Sequence, residues 1–164
     1  MVKYAKDEDK PFIRECFESI PKQLAKENKK FQYATIKKGA RASRYAGCLQ
    51  WLEDAGIIAR CYNTTTTELP LGGNAMEDWF KVYVTDIGLL LAMLDEGTRA
   101  DVLWGNLLGY KGAIFENLMS DFLKKKGMKL YYFHKEFGLE LDFLVRYHGE
   151  CVPLEVKARS GKAK

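Results

Sequence analysis

Apolar residues recur at helical spacing in the first third of the chain and predict three helices. Asp9 can cap a first helix with Pro11 near its start, and Pro21 is expected to end it and open a second. The clearest pattern lies between about residues 40 and 55, where apolar side chains fall at i, i+3, i+4 and i+7: Tyr45, Cys48, Leu49 and Leu52. Gly56 is placed to terminate this third helix.

A strand pattern follows these helices. Residues 57–62 favour a strand, residues 63–78 a polar loop with Gly and Pro, and residues 79–84 a returning strand. Helices followed by a two-stranded wing are the layout of a winged helix-turn-helix, in which the third helix enters the major groove of DNA. Winged helices also serve as packing modules, so DNA binding and packing both stay open here.

The second half predicts two helices and then three strands. Thr85 or Asp86 caps an apolar helix over residues 87–94, and a Gly-rich connector follows. A helix over residues 111–126 carries Glu116 and an apolar face expected to pack inward: Ile114, Phe115, Leu118, Met119 and Phe122. The predicted strands cover residues 129–134, 139–146 and 151–158.

The turn between the last two strands predicts which side chains meet. His148-Gly149 fits a two-residue hairpin loop, with Gly supplying a positive φ. The register that follows places Asp142 opposite Glu155 and Glu140 opposite Lys157. Three carboxylates and a lysine would then share one face of the sheet.

Carboxylates that face each other across a strand pair repel unless something neutralises them. Mg²⁺ or Mn²⁺ would neutralise Asp142 and Glu155, since hard cations take oxygen ligands. Lys157 beside the metal could stabilise developing negative charge, which is the apparatus for hydrolysing a phosphodiester. The alternative is a solvated strand face with an ordinary Glu140–Lys157 ion pair, and the hairpin alone does not decide between them.

Composition and charge limit the classes of protein to which this chain can belong. A chain of 164 residues with 47% apolar residues fits one ordinary domain or two small ones. The longest apolar run, residues 87–94, is far shorter than the roughly 18 residues that cross a bilayer, so no membrane partner and a cytoplasmic location are expected. The net charge is +4, and residues 22–44 hold eight basic residues against one acid. The side chains of that stretch expected to contact nucleic acid are Lys37, Lys38, Arg41 and Arg44.

The motifs resemble known families. Asp142 followed by Glu155-Val156-Lys157 resembles the D…(D/E)-x-K signature of the PD-(D/E)XK, or restriction-endonuclease-like, superfamily, and Glu116 matches its acidic helix residue. Longer runs resemble the C-terminal half of predicted bacterial and archaeal AAA+ ATPases: RASRYAGCLQWLEDAGII, YNTTTTELPLGG, FKVYVTDIGLLLAML, GYKGAIFENLM, LELDFLV and VPLEVKA. Those proteins carry a P-loop ATPase, a winged helix and a nuclease-like domain of unknown function.

The resemblance implies an α/β (α+β) fold of two modules. A winged helix-turn-helix would cover residues 1–85, and a restriction-endonuclease-like core, truncated at its C-terminus, would cover residues 86–164. The catalytic positions implied are Glu116, Asp142, Glu155 and Lys157, with Mg²⁺ or Mn²⁺ held by Asp142, Glu155 and Glu116 and with Glu140 as an accessory acid.

The resemblance also implies partners and two functions. The chain lacks G-x-x-x-x-G-K-[ST], so ATP is expected only in a missing N-terminal ATPase module, which would be a partner together with DNA. Residues 79–94, rich in aromatic and aliphatic side chains, are a candidate surface for association of copies or for docking on that ATPase module, with ordinary core as the favoured alternative. The chain would be a metal-dependent nuclease or, alternatively, a non-catalytic module that recognises DNA or a partner and regulates the ATPase; whether it is an enzyme stays open.

Overall fold

The computed structural model describes residues 5–26, 30–106, 110–135 and 138–157. Within these ranges the protein is a mixed α+β fold built on one five-stranded sheet, whose strands lie in the order β2-β1-β3-β4-β5. The strands are β1 Ile58–Thr64, β2 Ala75–Val84, β3 Leu130–His134, β4 Glu140–Tyr147 and β5 Glu150–Leu154. The helices are α1 Lys10–Leu24, α2 Tyr33–Ile36, α3 Ala42–Asp54, α4 Ile87–Ala92, α5 Glu96–Leu103 and α6 Lys111–Lys125, with a 3₁₀ turn at Leu71–Asn74.

The first helix is longer than predicted. Pro21 neither ends α1 nor opens a second helix, because the helix continues through it to Leu24. Ser19 lies just before the proline and donates its hydroxyl to the Cys16 carbonyl at 2.8 Å. The apolar face of α1 is buried on both sides of Pro21, at Ile13, Cys16, Phe17, Ile20 and Leu24, and that burial favours one continuous helix over a break.

The third helix follows its pattern closely. The four apolar side chains predicted to form its inner face, Tyr45, Cys48, Leu49 and Leu52, are all buried. Gly56 has a φ of +68° directly after the helix, the left-handed conformation that glycine adopts without a steric penalty. This prediction is confirmed.

The strands of the first half extend into the predicted loop. β1 continues to Thr64 and β2 begins at Ala75, with an irregularity in their register between Tyr62 and Asn63. The Asn63 amide exchanges two hydrogen bonds with the backbone of His134, at 2.8 and 3.1 Å. Polar residues that suggested a loop therefore belong to the sheet, since their side chains are satisfied by a strand distant in sequence.

β1 joins the two halves of the chain. It pairs antiparallel with β2, which places Cys61 opposite Lys81, and it pairs parallel with β3, which places Cys61 opposite Leu130. The sheet thus crosses the boundary predicted at residue 85. β1, one of the two strands assigned to a separate wing, is hydrogen-bonded to β3 of the second module.

The predicted Gly-rich connector contains a helix. Asp95 caps α5 by accepting hydrogen bonds from the backbone N–H and the hydroxyl of Thr98, at 2.9 and 2.6 Å. A cap of this kind satisfies an orphan donor of the first turn and outweighs the glycine at position 97. No helix in the described ranges is long and apolar enough to cross a membrane.

The last hairpin has the predicted turn but a shorter second strand. His148 and Gly149 have φ values of +48° and +85°, and Tyr147 pairs with Glu150 as predicted. The ladder ends at Leu154, and residues 155–157 are not part of a strand; residue 158, the predicted end, lies outside the described residues. Asp142 and Glu155 are therefore not a ladder pair, and neither are Glu140 and Lys157.

The orientation of α6 corrects the predicted apolar face. Ile114 is buried, but Phe115, Leu118 and Phe122 are exposed. The residues that α6 does bury include four polar ones, Glu116, Asn117, Ser120 and Asp121. Glu116 and Asn117 have partners on β2, and Asp121 pairs with Lys125 of α6 itself.

Candidate functional site

The D…(D/E)-x-K residues lie where β5 ends. The Asp142 carboxylate accepts a hydrogen bond from the backbone N–H of Val156 at 2.8 Å, which fixes the chain just beyond the last strand. Glu155 forms an ion pair with Lys157, and both of these side chains are exposed. The hydrogen bond and the charge of Glu155 raise the pKa of Lys157. The carboxylate and lysine of the E-x-K motif thus bind each other at the surface.

Glu116 lies in the interior. Its carboxylate is 5% exposed and accepts a hydrogen bond from the Tyr83 hydroxyl at 3.0 Å. Tyr83 itself is fully buried, and burial, followed by the negative charge of Glu116, raises its pKa well above 10. The tyrosine therefore stays neutral and donates to the acid.

Lys81 lies between two of the predicted acids. Its Nζ is 2.9 Å from Glu140 Oε1 and 4.0 Å from Glu116 Oε2, and the residue is 1% exposed. The ammonium also lies 4.5 Å from the centre of the Tyr132 ring, within the range of a cation–π contact. Burial lowers the pKa of Lys81, but Glu116 and Glu140 together raise it by more, so the lysine stays charged.

Glu140 forms the outer side of this cluster. His134 Nδ1 lies 3.7 Å from Glu140 Oε2, and the Glu140 side chain is partly exposed at the start of β4. Lys81, Glu116 and Glu140 come from β2, α6 and β4, and their charged groups meet although β1 and β3 lie between β2 and β4 in the sheet. We refer to these three residues as the acid–lysine cluster.

The predicted metal ligands do not come together as a metal site. In the described part of the chain, no group of three or more His, Cys, Asp or Glu residues is arranged to hold a metal ion. Glu116 faces Lys81 and Tyr83, Asp142 binds backbone, and Glu155 binds Lys157 at the surface. The residues as placed do not fit the Mg²⁺ or Mn²⁺ that the sequence suggested.

The predicted nucleic-acid side chains lie together in sequence and are all exposed. Lys37 and Lys38 precede α3, Arg41 is its N-cap residue, and Arg44 lies in its first turn. We refer to these four residues as the α3 basic cluster. The structure therefore places four exposed cations just before and within the first turn of one helix.

Two members of the α3 basic cluster are held by α1. Lys37 Nζ lies 2.7 Å from Glu15 Oε1, and this hydrogen bond lowers the pKa of Glu15. The Arg44 guanidinium lies 3.9 Å from the centre of the Phe12 ring. The Tyr45 hydroxyl donates to the other oxygen of Glu15 at 2.5 Å, which ties α3 to α1.

Sequence reasoning missed Lys81 and Tyr83. Both lie in Phe80-Lys81-Val82-Tyr83-Val84, which was interpreted only as a returning strand. A lysine in the middle of an otherwise apolar strand is a signal, because a buried lysine requires a counter-charge. Its partners lie 35 and 59 positions along the chain by residue number, and only the tertiary fold identifies them.

The class that these observations define is a mixed α+β protein with a charged cluster buried under one face of its sheet. The chain belongs to the family Domain of unknown function (DUF8612), whose match covers residues 1–100. Residues 111–164 match a second family, Domain of unknown function (DUF4143), a domain found with AAA+ ATPase proteins. Comparison with the curated proteins and with the solved structures finds no match.

Proposed function

We propose that this chain recognises DNA without cutting it, through the α3 basic cluster. The observation that carries the proposal is the position of four exposed cations, Lys37, Lys38, Arg41 and Arg44, around the start of one helix. The chain order α1, α2, α3, β1, β2 supports a winged-helix arrangement, in which the N-terminal part of α3 meets the duplex. Cations at that position would bind phosphates on either side of the groove.

The contacts of the cluster with α1 support this role. Glu15 fixes Lys37, and Phe12 fixes Arg44, so these side chains lose less conformational freedom when they bind phosphate. Glu15 pairs with Lys37 and also accepts a hydrogen bond from the Tyr45 hydroxyl. Its charge offsets one of the four cations of the cluster and leaves three in excess.

The arrangement of the acids favours recognition over cutting. A metal-dependent nuclease needs several carboxylates that share one divalent cation. Here an ammonium, that of Lys81, already lies between Glu116 and Glu140, and Glu155 is paired with Lys157. The match to a domain found with AAA+ ATPase proteins supports a finer proposal, that DNA binding here is coupled to such an ATPase in the parent protein.

Fluorescence anisotropy with a labelled duplex, measured over a salt series, tests the proposal. Wild type should bind, and log Kd should depend linearly on log salt. Lys38→Ala/Arg41→Ala should weaken binding and lower the magnitude of that slope by about 1.8, since each phosphate contact contributes about 0.9.

The matched control is Lys124→Ala/Lys129→Ala, which removes two exposed charges elsewhere on the molecule. This control variant should retain most of the wild-type affinity for the duplex. Equal losses in both double variants, or no binding by wild type, would contradict the assignment to the α3 basic cluster. Cleavage of a plasmid in Mg²⁺ or Mn²⁺ that is lost in Asp142→Asn would instead establish the nuclease function.

A further inference from the structure

The acid–lysine cluster combines three features that are each costly alone. An ammonium with a 2% exposed side chain has lost its water shell, and Glu116 is almost as buried. Two carboxylates lie around one cation, at 2.9 and 4.0 Å. Isolated buried charges cost several kcal/mol each, so the burial of Lys81 and Glu116 depends on the opposite charges that lie beside them.

Two neighbouring aromatic side chains support the charged form of Lys81. The Tyr83 hydroxyl donates to Glu116 Oε2, the same oxygen that faces Lys81. The face of the Tyr132 ring, whose electrons attract cations, lies 4.5 Å from Nζ. Cys61, directly opposite Lys81 on β1, is fully buried, and burial raises its pKa, so it stays a neutral thiol.

We propose that Lys81 is the built-in counter-cation of Glu116 and Glu140 and takes the position that a divalent metal ion would hold between them. Lys81 offsets the charge of one carboxylate, so the cluster of one ammonium and two ionised carboxylates keeps a charge of −1. A divalent ion could enter only by displacing a buried ammonium or by lying beside it, and like charges at that distance repel strongly in a low-dielectric interior. This inference does not rest on the proposed DNA binding.

Removing the lysine should create the metal site that the wild type lacks. Lys81→Met keeps the length of the side chain and removes its charge, which leaves Glu116 and Glu140 without their cation. In calorimetric titration with Mn²⁺, wild type should give no saturable binding at this cluster, and Lys81→Met should give one saturable event. Lys81→Met/Glu116→Gln should lose that event again.

Stability provides a second readout. Lys81→Met should lower the urea midpoint of unfolding, and Mn²⁺ should raise the midpoint of this variant but not that of wild type, because a ligand stabilises only the state that binds it. Lys125→Met is the matched control. Lys125 also pairs with a buried acid, Asp121 at 2.7 Å, but its own side chain is 69% exposed, so its loss should have a small effect.

A measurement on wild type alone covers the case in which Lys81→Met does not fold. Acetylation of the native protein, followed by peptide mass mapping, should modify Lys157 readily and leave Lys81 protected. Added Mn²⁺ should not change that protection.

Two results would overturn the proposal. One is saturable Mn²⁺ binding by wild type that Glu116→Gln abolishes, and the other is exposure of Lys81 to the reagent when Mn²⁺ is added. Either would mean that a metal displaces the lysine. Neither result affects the anisotropy experiment, which is run without metal and tests DNA binding alone. The proposal that the chain does not cut DNA shares the observation at Lys81 and would be weakened together with this one.

Discussion

At the scale of single residues, Asn117 connects a helix to the edge of the sheet. Its side-chain carbonyl accepts from the Val84 N–H at 2.8 Å, and its amide donates to the Val84 carbonyl at 2.9 Å. These bonds satisfy both backbone groups at the end of an edge strand. Asn117 is fully buried, so no water can replace it.

Asn117→Ala should therefore lower the free energy of unfolding by about 2–3 kcal/mol, because two buried backbone groups lose their partners. Urea denaturation followed by circular dichroism measures this change. Asn74→Ala is the control, since its amide donates one exposed hydrogen bond to the Glu68 carbonyl, and it should cost less than about 1 kcal/mol. An equal decrease in the free energy of unfolding for both variants would show that the two hydrogen bonds to Val84 contribute no more than one exposed hydrogen bond.

At the scale of elements, the sequence pattern predicts the bounds of α6 but not which side of the helix is buried. Its bounds, Lys111–Lys125, agree with the prediction to one residue, because the helical period and Gly127 are local signals. Its orientation does not follow from local signals. Polar side chains face inward because Val84 and Lys81, on another element, require them there, and hydrophobic periodicity carries no information about such partners.

Two adjacent residues of α6 test this orientation. Leu123 is 3% exposed and Phe122 is 54% exposed. Leu123→Ala should cost about 2–5 kcal/mol, as buried leucines do. Phe122→Ala should cost less than about 1 kcal/mol despite the larger side chain. Thermal and urea unfolding of the two variants measure these changes in stability. A larger decrease for Phe122→Ala than for Leu123→Ala would mean that the predicted apolar face of α6, which includes Phe122, is the buried one.

In the candidate site, too, the local features follow from the sequence and the long-range ones do not. The turn at His148-Gly149 and the first pairs of the hairpin follow from two residues in the sequence. The end of β5 at Leu154 does not, because it depends on Asp142 binding the Val156 backbone in place of a ladder partner. The position of Lys81 between Glu116 and Glu140 depends on the order of strands in the sheet, which the sequence motifs do not specify.

At the scale of the whole molecule, several buried groups respond to alkali in the same direction. Burial raises the pKa of Cys16 to about 12, and the pKa values of Tyr83 and Lys81 are also raised. Each group keeps its proton in the folded state at a pH where the unfolded chain has lost it. The unfolded state therefore binds fewer protons above about pH 9, and stability falls as the pH rises.

The urea midpoint, measured in a reducing buffer, should accordingly be constant between pH 7 and 8 and fall progressively from about pH 9 upward. The fall reflects Cys16 first, because the ordinary thiol pKa is the lowest of the three. A midpoint that stays constant or rises up to pH 10.5 would contradict the burial of these groups.

The parallel pairing of β1 with β3 has a consequence for how the chain acquires its structure during synthesis. Asn63 and His134, which bond each other across these strands, lie 71 positions apart. The ribosome releases β1 and β2 well before β3 exists, so one edge of β1 must wait without its neighbour while the intervening helices emerge. Contacts of such long sequence separation form slowly and leave strand edges open to wrong partners. The interval before His134 leaves the exit tunnel is thus when this protein most needs protection from aggregation.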